Sequence, residues 1–229
     1  MPGHCGHAGK TGGLKEFGGN SSSGPEPIRE QYHALNYLVH LFLSDPAPQC
    51  LLGTLMGDFV KGPIPQPCPP AVRWGIELHR KVDLFAHHNP DFRRSRLRID
   101  DSFGYFRGVM VDVFYDHFMA RSWNRYSETP LPEFARGIYD LLARHLSDLP
   151  RGLQDVAPRM ISHDWLNSYR KLEIIGRVLA RLSDRLGRPN PLGRGLAELE
   201  NNYSEMEADF NRFLASASEH VEELRRARR

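Results

Sequence analysis

The sequence lacks the cysteine content of a cross-linked protein and any apolar run long enough to span a bilayer. Its three cysteines, Cys5, Cys50 and Cys68, are odd in number, irregularly spaced and without a C-x-x-C pair. That pattern indicates neither a disulfide framework nor a zinc knuckle, and it fits free thiols in a reducing cytoplasm. The longest apolar candidate, Tyr37–Leu43, is interrupted by His40 and falls well short of the ~18 residues of a spanning helix. Threonine occurs only three times, strict apolar–polar alternation is missing, and no Asn-Gly or Asp-Gly separates apolar runs. Hairpins therefore have no support. Lysine is scarce too: the 30 basic residues are 25 arginines and 5 lysines. An arginine excess suits bidentate contact with phosphate or carboxylate, and genomic base composition produces the same bias. A net charge of +2 implies no whole-molecule attraction to nucleic acid or anionic membrane.

What is present describes an ordinary globular chain. The 229 residues are 40% hydrophobic and 25% charged, enough for one large domain that needs no staple to fold. The first 24 residues hold eight of the twenty glycines and no apolar core segment, so they do not form a secretory signal. Residues 1–34 read as a flexible Gly/Ser-rich leader. His4 and His7 within it are a conceivable metal-binding arm, and the segment is set aside from function. Beyond it, helical stretches are punctuated by Asp45-Pro46-Ala47-Pro48, Gly62–Pro70, Asn89-Pro90, Thr129-Pro130, Leu149-Pro150 and Gly187–Gly195. Seven helices are expected, over about 35–44, 50–61, 70–87, 102–126, 131–147, 163–187 and 192–226. The expected fold is all-α, a single-domain helical bundle over 35–226.

The informative feature is polar residues on faces that should be apolar. In the helix expected over 70–87, Val72, Ile76, His79, Asp83 and Ala86 step 4-3-4-3, the inward stripe of a packed helix. In the helix over 102–126, the stripe Tyr105, Val109, Asp112, Asp116, Met119, Trp123 is apolar at its ends and doubly acidic in the middle. Carboxylates at that spacing repel, and burying one unpaired is costly. Asp58 is the only acid of an apolar helix containing Leu51, Leu52, Leu55, Met56 and Phe59, and His40 interrupts the first helix.

Each feature has a structural explanation when taken alone. His40 can be satisfied by a backbone carbonyl, Asp58 can face outward or cap, and His79 with Asp83 can be a hydrogen-bonded pair. Arg80 can neutralise the acids as a structural cluster. The conjunction across four helices favours a metal site. Oxygen-rich ligands with imidazole and no thiolate suit Mn²⁺, Fe²⁺ or Mg²⁺. The Glu-x-x-His pairs of ferritin-like di-iron proteins are absent. What remains resembles a helical metal-dependent phosphohydrolase.

Four ordered motifs carry a closer resemblance. They are Asn36-Tyr37-Leu38-Val39-His40-Leu41, then Gly53-Thr54-Leu55-Met56-Gly57-Asp58-Phe59-Val60-Lys61-Gly62, then Gly75-Ile76-Glu77-Leu78-His79-Arg80-Lys81-Val82-Asp83, and Asp112-Val113-Phe114-Tyr115-Asp116-His117-Phe118 with Trp123 following. Over about residues 36–215 the chain resembles the acyl carrier protein phosphodiesterases. The resemblance implies a divergent HD-hydrolase-like helical fold and a Mn²⁺-dependent enzyme that releases 4′-phosphopantetheine from holo acyl carrier protein. Carried over position by position, it implies metal ligands at Asp58, His79, Asp83, Asp112 and Asp116, with His40 and His117 also on motif positions. Two departures stand out: Thr54 where the family is expected to carry Asn, and Ala86-His87 where Thr-Asp is expected. The doublet His163-Asp164 imitates an ordinary HD pair but lies outside the motifs, where Asp164 reads as a helix start.

The expected reaction places Arg80 against non-bridging phosphate oxygens, or in a structural pairing, and His117 or His40 as proton donor to the leaving serine oxygen. Arg93, Arg94, Arg96 and Arg98 follow directly and are expected either to steer an acidic carrier protein or to form a solvated face. The terminal Arg225–Arg229 reads as a frayed tail. Neither a nucleic-acid partner nor a membrane span is expected, and the expected location is cytoplasmic. Alternatives are a hydrolase of the same fold acting on a nucleotide or other small diester, and a non-catalytic adaptor for acidic partners.

Overall fold

Proline sets where several helices begin. With its φ preset and no N–H to satisfy, it fits a helix's first turn. Pro48, Pro70 and Pro90 each open a helix, and Pro132 is the second residue of another. The computed structural model describes residues 37–228; the leader expected over 1–34, with Cys5, His4 and His7, lies outside the described residues, as do Asn36 and Arg229. The described chain forms α1 (Tyr37–Leu43), α2 (Pro48–Met56), α3 (Pro70–His88), α4 (Pro90–Arg98), α5 (Phe106–Ser122) and α6 (Leu131–Arg144). It continues as α7 (Arg151–Ser162), α8 (Trp165–Ser168), α9 (Leu172–Arg185), α10 (Leu196–Asn201) and α11 (Tyr203–Arg228). No strand occurs among the described residues, so the all-α expectation holds.

α5 is the axis of the bundle. Met110, Val111, Val113, Phe114, Phe118 and Met119 on it are fully buried, and such helices that are apolar all round belong in a core. α1 lies against it with Leu38, Val39, Leu41 and Leu43 buried. The long α11 runs past α3, α4, α5 and α1, inserting Phe210, Phe213, Leu214 and Val221 into the same continuous core. α6, α7 and α8 pack on one another, and α9 and α10 cover a further side of α5 and α11.

α2 and α3 cross more closely than ordinary side chains permit. A Cβ on Gly53 would collide with the Val72 carbonyl, and one on Gly75 would collide with the Cys50 carbonyl. Mutual glycines therefore set that crossing distance. Ser44 and Thr54 hydroxyls meet at 2.8 Å beside it, tying α2 to the residue that follows α1.

The helix list differs from expectation in identifiable ways. α4 and α7 are additional helices. α4 restarts one residue after α3 because Asn89 leaves helical geometry and its Oδ1 accepts the amides of Asp91 and Phe92 at 2.9 and 3.1 Å, an N-cap arrangement. α7 carries Pro158 inside it, which disguises a buried stripe of Leu153, Val156, Ala157 and Met160. The helix expected over 163–187 is broken, since Asp164 is left-handed at φ 46° and Lys171 is extended. Among the described C-terminal arginines, Arg225 and Arg228 are not frayed: Arg225 bonds Asp45, Glu222 and the Leu43 carbonyl, and Arg228 lies over the Trp74 ring.

Candidate metal centre

Three elements bring their polar groups to one place. His40 comes from α1, Asp58 from the turn that ends α2, and His79 with Asp83 from adjacent turns of α3. His40 Nε2 lies 3.2 Å from one oxygen of Asp83. His79 Nε2 lies 3.3 Å from Asp58 and 3.5 Å from the other Asp83 oxygen. The two imidazoles stack, with centroids 3.9 Å apart and planes 16° from parallel. Both histidines are buried, whereas 52% of the Asp83 side chain faces solvent, so the cluster has a mouth.

Local structure explains each position. Gly57 closes α2 directly beneath His79, where a Cβ would penetrate the imidazole ring. Arg80 donates to the Val60 carbonyl and so ties α3 to the turn carrying Asp58. Asp116 accepts the amides of Leu38 and Val39, one on each oxygen, both at 2.9 Å. These amides stand at the start of α1, where N–H groups have no partner within the helix, so Asp116 fixes the helix that presents His40.

Electrostatics divides the acids. Burial alone would raise Asp58, but the facing His79 imidazole outweighs it and brings the carboxyl to about 2. Asp83 is lowered too, burial being outweighed by His40 and His79. Asp112 is pushed well above the ordinary carboxylate range by burial and by Asp83, Asp58 and Asp116, with Arg96 the opposing charge. Burial raises Asp116 to about 8 against the pull of the Leu38 and Val39 amides. Burial and the neighbouring His79 lower His40, whereas in His79 the charge of Asp58 overcomes burial and raises it. Several carboxylates thus converge on a partly dry site with too little positive charge to keep them all ionised.

These residues fit a divalent ion. His40, His79 and Asp83 each offer a ligand atom within 4.8 Å of the others. Donors held ~2.0–2.2 Å from one ion at near right angles stand ~3 Å apart, close to the spacings seen. His79 Nε2, like its Nδ1, is buried and makes no well-formed hydrogen bond, so it is available to a cation. His40, expected as a proton donor, belongs geometrically with these ligands.

Other expected site residues lie elsewhere. His117 is turned away: Nδ1 is 2.7 Å from the Tyr169 carbonyl and Nε2 2.9 Å from the Tyr203 hydroxyl. One residue beyond Asp116, it leaves α5 about 100° further round. His163 is exposed, and Asp164 accepts from the Tyr139 hydroxyl and Asn167 amide at 2.9 Å each, so the doublet takes no part.

The arginine run also divides with the helical period. Arg94 and Arg98 reach the fully buried Asp209 of α11 at 2.8 and 3.0 Å. Arg96 opposes the charge of Asp112. Arg93 is exposed and has no ion pair among the described residues. Two of the four arginines expected to dock a partner are thus engaged by Asp209, a buried carboxylate that requires cations of its own. Of the two departures from the family pattern, Thr54 is buried and bonded to Ser44, and His87 is exposed.

The described helices include none long and apolar enough to cross a membrane. No solved structure matches the chain. Among curated proteins it is 34% identical to the acyl carrier protein phosphodiesterase of Serratia proteamaculans and 32% identical to that of an Enterobacter species; each match covers 78% of this chain and 93% of the relative. The corresponding Escherichia coli O6:H1 protein is 31% identical over the same shares. Residues 35–217 match the family of that name, a span holding every helix from α1 to α10 and more than half of α11. On that match and those relatives, the chain belongs to the acyl carrier protein phosphodiesterase family.

Proposed function

We propose that this protein hydrolyses the phosphodiester between 4′-phosphopantetheine and the serine of holo acyl carrier protein, giving the apo carrier and free 4′-phosphopantetheine. The supporting observation is the convergence of His40, His79 and Asp83, with Asp58 against His79, at a mouth open to solvent. His40, His79, Asp58 and Asp83 would hold a divalent ion, Mn²⁺ by preference and Mg²⁺ or Fe²⁺ by the same donor chemistry. Such an ion supplies Lewis-acid activation of water and neutralises phosphate oxygens. Asp112 feels the charges of Asp58 and Asp83, with Arg96 opposing them. Asp116 acts one step back, holding α1 so that His40 keeps its place.

A protein substrate also needs a surface. Arg93 is the one arginine of its run left exposed and unpaired among the described residues, and Arg94 keeps 46% of its side chain in solvent while bonded to Asp91 and Asp209. We assign docking of an acidic carrier to this rim, where charge acts mainly on encounter rate.

Intact mass of holo acyl carrier protein after incubation with the enzyme and Mn²⁺ tests the reading. Loss of the phosphopantetheine mass, abolished by His79→Ala, is expected. An unchanged carrier alongside turnover of a small diester would contradict it.

A further inference from the structure

α5 carries a second set of polar groups on a different side from its acids. Arg121 follows Asp116 by five residues, which places it about 140° further round the helix. There the end of α5 meets the first turn of α11, and between them lies a cavity of about 420 Å³ lined by Arg121, Ser122, Asn124, Arg125, Tyr203 and Glu207. We propose that this cavity is an anion site, separate from the metal centre, that takes a phosphate group through Arg121 and Arg125.

The two arginines stand at a spacing where like charges repel. Neither makes an ion pair or hydrogen bond among the described residues, and the sole carboxylate of the lining is Glu207. The C-terminal dipole of α5 favours Arg121 in the last turn, but Arg125 lies in the 3-10 turn beyond. Arg121 lies over the Tyr203 ring, 5.8 Å from the centroid, within cation–π range, and its guanidinium N–H groups have no acceptor among the described residues.

The Tyr203 wall is itself fixed. His117 Nδ1 faces the Tyr169 carbonyl at 2.7 Å and must carry the proton there, so Nε2 accepts from the Tyr203 hydroxyl at 2.9 Å. That gives His117 a positioning role distant from the metal ligands. Asn124 adds an amide donor at the rim. Two guanidinium forks and an amide, around a cavity sized for a small organic molecule, match a phosphate better than an apolar ligand.

Calorimetric titration of the divalent-ion-loaded enzyme with inorganic phosphate, at constant ionic strength in chloride, tests the site. Saturable binding is expected in wild type and should survive in His79→Ala, whose weakened ion uptake removes the competing phosphate seat at the metal centre, so the arginine substitutions are read in that background. It should weaken about tenfold or more in Arg125→Gln, the loss typical of one charge-assisted hydrogen bond, and disappear in the Arg121→Gln/Arg125→Gln pair. If the pair fails to fold, Arg125→Gln decides alone, since that exposed side chain has no partner to lose. Equal affinity with and without Arg125→Gln in that background, no saturable binding in the millimolar range, or loss confined to His79→Ala would overturn the proposal. Acetate binding as tightly as phosphate would also overturn it, marking a seat for an acidic side chain of a protein partner instead.

Discussion

His40 and His79 lie face to face, ring centroids 3.9 Å apart, on different helices, with both Nε2 atoms turned to Asp83. Two imidazolium rings would repel in that arrangement, and burial with the His79 charge accordingly lowers His40. The arrangement suits two nitrogens and a carboxylate directed at one divalent ion, as proposed above. It depends on two supports distant in sequence: Asp116 holding the start of α1, and the glycine contacts that let α2 approach α3.

Gly57 is the most sensitive of those glycines for chemistry. A methyl group there would enter the His79 ring, whereas at Gly53 it would strike backbone. Gly57→Ala should displace His79 at an overpacking cost of about 1–3 kcal/mol, leaving a helical protein with markedly weaker ion uptake and turnover. Gly53→Ala should mainly lower thermal stability. Metal content and melting temperature measured on both variants check the contrast.

The arginines of α4 should separate into two classes. Arg93→Glu is expected to lower kcat/KM on the protein substrate, to reduce its salt dependence and to leave kcat at saturation nearly unchanged. Arg98→Glu should lower the melting temperature, because it places a second acid beside the buried Asp209. Asp209→Ala should lower the melting temperature too, by removing the buried carboxylate that Arg94 and Arg98 share. Equal melting temperatures for Arg93→Glu and Arg98→Glu would contradict the division.

Asp91 gives this same corner a pH signature. Burial would raise its carboxyl, but hydrogen bonds from Arg212 at 2.7 Å and Arg94 at 2.6 Å bring it below its ordinary value. A carboxyl lowered in the folded state stabilises above its unfolded value, ~3.9, and loses that contribution as pH falls through the folded one. The stability gap between wild type and Asp91→Asn should therefore be constant near neutrality and narrow below about pH 4. Urea unfolding across that range measures it; a gap that widens on acidification would reverse the sign.

The acids and His79 were legible because the 3.6-residue period marks a polar residue on an apolar stripe. That reasoning placed His79, Asp83, Asp112 and Asp116 on inward faces, but it could not tell ligand from support. The amides that occupy Asp116 belong to α1, far away in the chain. His117 was drawn to the site by its place beside Asp116, although one residue is about 100° of rotation. Period also held the missed signal in the arginine run, since Arg94 and Arg98 share a face that Arg93 and Arg96 do not. Gly53 on α2 and Gly57 just beyond its end, four apart, were a visible small-residue pair whose purpose needed the Val72 backbone and the His79 ring of α3 opposite. α7 was hidden by Pro158, tolerated inside a helix whose apolar stripe is buried.

The proposed chemistry requires that His40, Asp58, His79 and Asp83 hold a divalent ion and that His117 does not. Equilibrium dialysis against Mn²⁺, with metal quantified by mass spectrometry, tests it most directly on wild type, His40→Ala, His79→Ala, Asp83→Ala and His117→Ala. Stoichiometric uptake by wild type and His117→Ala, with strongly weakened uptake in the other three and helical content retained, is the predicted result. Wild-type affinity in His79→Ala, or loss of the ion in His117→Ala alone, would contradict it.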